Sequence, residues 1–417
     1  MSGIYVPSEE DLAQCVRCGL CLPHCPTYTQ SGLETESPRG RLYLMKALAE
    51  DLIEPTENVA GHLDQCLQCR NCEAVCPSAV PFGRIMERTR AGILKSSKAP
   101  SSWRLRSLFL RHVIARPALL SAFATALRIY GKSGLRSIVE RLPAVGERAL
   151  MAPSVRGKRF TGSGVLVHPS GEVRARVALL TGCIMPHAFG EVHRATIRVL
   201  ARNGCEVIAP PGQVCCGALH AHNGDADTAL NLARKNIEAF LDAGVDAVVV
   251  NSAGCGAAMK EYPELLAEND RNRDRAKELS TIVKDVNEFL VELPFERPTG
   301  QVEATATYQD SCHLAHAQRI ASAPRLILQS IPGLKLVEMN SSDRCCGSAG
   351  VYSLTQPEMA IELLDRKMQD VLETGAEIIA TANPGCMSQL ESGLRRHRSP
   401  GEVVHVVELL DRAYRSS

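Results

Sequence analysis

Cys15, Cys18, Cys21 and Cys25 are spaced C-x2-C-x2-C-x3-C and followed by Pro26; Cys66, Cys69, Cys72 and Cys76 repeat the spacing and are followed by Pro77. Three cysteines two residues apart can wrap one iron-sulfur cubane, while the longer spacer carries the fourth away to a second one. The pattern assigns cluster one to Cys15, Cys18, Cys21 and Cys76, and cluster two to Cys66, Cys69, Cys72 and Cys25. Zinc fits worse, because four ligands in separated pairs would leave the third close cysteine and the trailing Cys-Pro without a role. Two adjacent 4Fe-4S clusters with no substrate pocket in the pattern suit electron relay, and no catalytic residue is assigned.

A second set of cysteines starts after a long gap. Cys183, Cys215-Cys216-Gly217 and Cys255 are echoed by Cys312, Cys345-Cys346-Gly347 and Cys386 at offsets of 129, 130 and 131 residues. A constant offset marks an internal duplication. Adjacent cysteines suit metal better than a disulfide, which would close a strained ring. Four cysteines per unit would hold one iron-sulfur cluster, with iron bound through these thiolates. One cluster per unit, one cluster in all, and buried thiols without metal remain open. Gly217 and Gly347 would let the backbone approach a cluster. His187, His220, His222, His313 and His316 lie beside these cysteines, in roles more consistent with hydrogen bonding to the site than with ligation. Cys205 stands apart and reads as packing.

These sites need elements to hold them. Between the N-terminal runs, Ser37 can cap a helix with Pro38 at its first position, and Leu42, Met45, Leu48, Ala49 and Leu52 recur at helical spacing. Each C-terminal unit reads as a strand (177–181; 304–309), a cysteine, a helix, a short strand (206–209; 335–338), the CCG loop, a helix, a strong β run (247–251; 377–381) and a last cysteine. Strands alternating with helices predict α/β units with largely parallel sheets and the cysteines in loops after strands. From Lys95 to Arg176 the only acidic residues are Glu140, Glu147 and Glu172. Within this stretch residues 103–131 interleave apolar side chains with Arg104, Arg106, Arg111, Arg116 and Arg128, with a break at Pro117. Such a segment could lie on an anionic membrane or an acidic partner, or simply pack its apolar face on neighbouring domains. Residues 154–171, rich in Gly, Ser and Arg, read as a linker.

The expected fold is multidomain α and α/β: an α-helical ferredoxin (1–95), a basic helical connector and linker (96–172), and two cysteine-rich units (173–295 and 296–417). The 417 residues are 45% hydrophobic and include 17 cysteines, with 47 Lys and Arg against 46 Asp and Glu. This balance supplies no global field for nucleic acid. Without a leader-like start or an apolar run near eighteen residues, the chain is expected to be cytoplasmic or peripheral to a membrane, where cysteines serve metals rather than disulfides.

The helical insert between the two runs resembles the α-helical ferredoxin of succinate dehydrogenase-type iron-sulfur subunits. Over nearly the whole length the chain resembles the iron-sulfur subunit family of bacterial glycolate oxidase. The likeness is carried by Glu36-Ser37-Pro38-Arg39-Gly40-Arg41, the stretch CCGALHAHNGD from Cys215, CHLAHAQRI from Cys312 and NPGCMSQL from Asn383. The wider plan is shared with subunits of anaerobic glycerol-3-phosphate dehydrogenase, lactate-utilisation proteins and heterodisulfide reductase. In the last of these the unit ends in CxxC, whereas here Ala258 and Gln389 occupy the partner positions, which argues against direct disulfide cleavage. The resemblance implies FAD on a partner subunit that oxidises glycolate to glyoxylate. This chain would carry electrons toward quinone in the membrane respiratory chain, from the cytoplasmic face of the inner membrane. Alternatives are a catalytic reductase of a heterodisulfide or quinone, a subunit of a D-lactate or glycerol-3-phosphate dehydrogenase, and a structural or redox-sensing iron-sulfur protein.

Overall fold

The computed structural model describes residues 5–133, 157–266 and 270–416, together with Val139 and Val155. Glu140, Glu147, Ser154 and Arg156, in the connector and linker, lie outside the described residues. The N-terminal part is helical. Ser37 caps helix Pro38–Ala49 by accepting from the Gly40 N–H at 3.0 Å, with Pro38 at the first position. This helix and Phe82–Lys95 bury Leu42, Met45, Ile85 and Met86 in one core with Leu12, Leu63 and Trp103. Trp103, the first aromatic residue of the basic segment, thus belongs to the ferredoxin core.

The basic segment forms helix Ser101–Phe109, a π-helical turn Leu110–Ile114 and helix Pro117–Lys132. The two long pieces meet at 97°. Arg116 is extended and Pro117 starts the second helix, as expected where proline excludes helical geometry from the residue before it.

The duplicated units each contain a parallel sheet. In the first, β1 (Gly164–Val167), β2 (Ala175–Leu179), β3 (Cys205–Ala209), β4 (Ala247–Val250) and β5 (Val283–Asp285) lie in the order β1-β3-β2-β4-β5. In the second, β6 (Ala304–Tyr308), β7 (Leu334–Leu336), β8 (Ile378–Thr381) and β9 (Glu402–His405) lie in the order β7-β6-β8-β9. Without β1 the two orders coincide, so the duplication covers topology as well as cysteines. Strand β1, antiparallel to β3, corrects the linker reading of residues 154–171. Leu166 and Val167 pack on the main core, which outweighs the Gly and Ser around them.

One face of each sheet contributes to an interior shared by both units, while the first unit keeps a further core of its own around Ile208, Ala233 and Val248. Helix Gly190–Arg202 of the first packs on Val406–Arg415, the last helix of the second, and Val286–Glu292 packs on Ser322–Gln329. First helix meets last in both pairings, a pseudo-twofold arrangement. Val177, Val249, Leu290, Tyr308, Ile327 and Leu409 therefore share one core. Arg198 seals its edge through two bonds to Asp411, at 2.8 and 2.7 Å.

Gly217 and Gly347 have φ of 87° and 86°, where a side chain is disfavoured. A Cβ on Gly217 would come 3.3 Å from the Ala229 carbonyl oxygen, and one on Gly347 2.7 Å from that of Ala360. Both glycines thus let the CCG loop turn tightly onto the following helix. Close packing on the helix backbone is a second reason for glycine here, alongside the Gly217 and Gly347 N–H groups that hydrogen-bond Cys215 and Cys345.

Candidate iron-sulfur centres

The eight N-terminal cysteines surround two adjoining cavities. One is lined by Cys15, Cys18, Cys21 and Cys76 with Gly19, Leu20, Pro38 and Phe82. The other is lined by Cys25, Cys66, Cys69 and Cys72 with Thr27 and Arg41. Cys72 also borders the first cavity, standing between the two. Each run therefore sends its last cysteine to the other run's cavity, the crossed grouping that the x3 spacers imply.

The backbone between the cysteines shows how the runs turn inward. Arg17 and Gln68 have φ of 58° and 51°, and Gly19 and Arg70 have φ of 84° and 62°, at equivalent places in the two runs. Three of these four left-handed positions carry side chains, at a cost of roughly 1–2 kcal/mol each. Such strain persists only where surrounding structure over-determines it.

The second cavity carries polar support that sequence reading missed. Arg41 is almost wholly buried and donates to the Glu36 carbonyl at 2.6 Å, to Thr27 Oγ1 at 2.9 Å and to the Glu36 carboxylate. Thr27 Oγ1 lies 3.4 Å from Cys25 Sγ, and the Gln68 N–H donates to Cys66 Sγ at 3.4 Å. Burial pushes the Cys69 and Cys72 thiols well up, and Cys21 to about 11. Thiolates in such a place need a compensating cation, and iron supplies one. Among the described residues no three donors converge on a single ion position, while the cysteine sets line cavities suited to a larger group. The donor set fits two cubanes.

In the cysteine-rich units the sulfurs lie past the C-terminal ends of the parallel strands, where open α/β sheets place their sites. Cys183 Sγ and Cys215 Sγ are 3.3 Å apart, and Cys216 contacts both Cys215 and Cys255. Likewise Cys345 contacts Cys312 and Cys346, and Cys346 contacts Cys386. Ser252 Oγ donates to Cys255 Sγ at 3.3 Å and Asn383 Nδ2 to Cys386 Sγ at 3.6 Å. Soft donors grouped in fours, with hydrogen bonds onto their sulfurs, fit a cluster in each unit.

Family models agree with this partition. Residues 11–80 match a 4Fe-4S dicluster domain, and residues 177–260 and 306–391 each match a cysteine-rich domain of the CCG family. A probable glycolate oxidase iron-sulfur subunit of Bacillus subtilis is 39% identical, over 96% of this chain and 94% of that one. The glycolate oxidase iron-sulfur subunit of Escherichia coli is 35% identical, over 97% and 95%. The chain belongs to the glycolate oxidase iron-sulfur subunit family. It is an iron-sulfur protein and a component of an oxidoreductase. A component of the dihydromethanophenazine:CoB–CoM heterodisulfide reductase of Methanosarcina barkeri is 29% identical, over 97% of this chain and 94% of that one. A hypothetical protein from Helicobacter pylori shares the fold, with a TM-score of 0.54 at 11% identity, over 98% of this chain and 73% of that one.

The histidines divide by place. His222 of the first unit stacks on His313 of the second, and its Nδ1 lies 2.6 Å from Glu87 of the ferredoxin. His313 Nδ1 lies 3.8 Å from Cys312 Sγ. His220 faces Asp225 at 3.3 Å, His316 faces the Asp343 carbonyl at 3.0 Å, and buried His187 lies under the connector, its carbonyl accepting from Arg128. Gln389, where a CxxC would place its second cysteine, is buried and donates to the Ala360 carbonyl at 3.3 Å. Cys205 is buried in the shared core.

Proposed function

We propose that this chain is the electron carrier of a glycolate-oxidising complex. It would take electrons from a partner FAD subunit that converts glycolate to glyoxylate and pass them toward quinone at the membrane. Oxidation of a 2-hydroxy acid releases two electrons together, and a cubane takes one at a time, so a flavin must separate the pair first. When bound, the clusters supply one-electron redox chemistry. The chain's own residues hold them close together, exclude water and hydrogen-bond their ligand sulfurs.

One observation carries the reading. Cys69 of the second N-terminal cavity packs in the same apolar core as Cys345, Met339 and Tyr352, with Cys312 against its edge. The ferredoxin and the second cysteine-rich unit thus present their cysteines to each other through a dry contact. Such a contact suits electron passage and is unnecessary for clusters that only brace a fold.

A second reading, a reductase acting at a cysteine-rich unit, draws on a cleft of about 140 Å3 between the ferredoxin and the first unit. Cys216, Ala258, His222 and Glu261 line it. Anaerobic EPR of the natively purified complex separates the two. Reduced-cluster signals on adding glycolate support the carrier. Signals with D-lactate alone reassign the partner dehydrogenase. Turnover of a disulfide or quinone by the isolated chain with an artificial donor, lost on Cys215→Ser, favours the reductase.

A further inference from the structure

The bent helix pair has two faces of different character. Its inner face buries Leu110, Ile114 and Leu120, packed against Cys183, Leu219 and Val351. Arg111 and Arg106 fasten it there through two-pronged ion pairs with Asp225 and Asp64. The outer face leaves Leu105 69% and Ile129 63% exposed, along with Leu108, Phe109, Leu119 and Phe123. Phe109 and Phe123 meet edge to face, centroids 5.8 Å apart, joining the two helices' apolar surfaces at the bend. On the second helix, spacing sets Leu119, Ala122, Phe123 and Ala126 on one stripe with Ile129 at its margin.

Charge selects the occupant. Residues 95–133 carry eight Lys and Arg and no Asp or Glu. Four of the eight, Arg104, Arg116, Arg128 and Lys132, pair with no carboxylate among the described residues. Lys132, in the last turn, lies to one side of the apolar stripe by helical position, and Arg116 stands at the N-cap beside Leu119. An exposed apolar face bordered by unneutralised cations is the pattern of a helix lying in a bilayer interface. No single helix among the described residues is long and apolar enough to cross a membrane.

We propose that the outer face of this helix pair is a docking surface for an anionic lipid bilayer. This deepens the electron-delivery reading above and rests on it for its purpose. Docking would place lipid one helix diameter, about 10 Å, from the packing around Cys183. The helix pair packs on the ferredoxin through Trp103 and on the first cysteine-rich unit through Cys183 and Leu219, so docking would bring both to the membrane side of the molecule.

The test uses the full chain with its clusters, purified anaerobically, in flotation with phosphatidylglycerol or phosphatidylcholine vesicles. The chain should float with the anionic vesicles only and be released by high salt. Leu105→Glu combined with Phe123→Glu should weaken binding by about tenfold or more, with cluster absorbance unchanged. Arg116→Glu with Lys132→Glu should weaken it and reduce its salt dependence. Failure of the parent chain to bind anionic vesicles at low salt, or undiminished binding by the apolar variant, would overturn the proposal. So would loss of a copurifying flavoprotein while vesicle binding survives, which would mark this as a protein interface. Cluster reduction by glycolate in the lipid-free complex reports separately on the carrier function.

Discussion

His222 and His313 lie ring on ring, centroids 5.2 Å apart and planes 20° from parallel, although they belong to different halves of the duplication. Their shared neighbour is the ferredoxin, through Glu87 on His222 and Arg70 beside His313. Burial, reinforced by His222, Arg70 and His316, holds the His313 imidazole well below its ordinary range, so it is neutral, with one ring nitrogen to donate and the other to accept. The stack marks where all three parts of the molecule converge.

Crossed ligation makes a discriminating prediction. Cys76→Ser should perturb the cluster of Cys15, Cys18 and Cys21, and Cys25→Ser the cluster of Cys66, Cys69 and Cys72. EPR of the two reduced variants should lose different signals. If each variant instead loses the signal removed by Cys→Ser changes within its own run, the cavities have been grouped wrongly.

Arg41→Ala should be severe, because it leaves the buried Glu36 carboxylate with His62 alone as a side-chain partner. Breaking a buried pair costs about 3–5 kcal/mol. Chemical denaturation should show a loss of that size, and iron analysis a preferential loss from the second cavity. Arg41→Lys, which keeps charge but not the forked geometry, should fall between the two.

The two CCG glycines should differ in tolerance. Alanine at either requires left-handed backbone, costing roughly 1–2 kcal/mol. At Gly347 it would also drive a methyl group into the Ala360 carbonyl at 2.7 Å, against 3.3 Å at the Gly217 site. Urea unfolding should rank Gly347→Ala as the more destabilised, and equal losses would show that the loop relaxes freely.

Glu261 sets a pH dependence. Burial lifts its carboxyl to about 7, against the pull of Arg70. A raised carboxyl binds protons more readily folded than unfolded, so its contribution to stability falls as pH rises from about 4.5 to about 7 and is level above that. With a third of the side chain exposed, screening limits the effect to about 1 kcal/mol. Thermal melts of Glu261→Gln should lose this slope and gain stability at pH 8. A parent and variant with parallel pH profiles would refute the assignment.

What the sequence revealed follows the range of the interactions involved. The cysteine runs, the cap at Ser37 and the β-branched runs of β4 and β8 are local patterns, and each lies where its spacing indicated. Strands β5 and β9 went unread because three or four residues give too little alternation, and each passes straight into a helix capped by Asp285 or His405. Nothing in the helix around Arg41 signals its burial; only Thr27, Glu36 and the His62 carbonyl, brought in from other segments, make it a buried post. The His222–His313 stack depends on the pseudo-twofold packing, which no single stretch encodes.

The core shared by the two cysteine-rich units also bears on how the chain can change over generations. Loss of either unit would strip cover from Tyr308 or Val177, so neither half can be discarded or exchanged as a cassette. Heritable divergence between the halves is then channelled into the loops at the strand ends, where Ser252 faces one cysteine set and Asn383 the other.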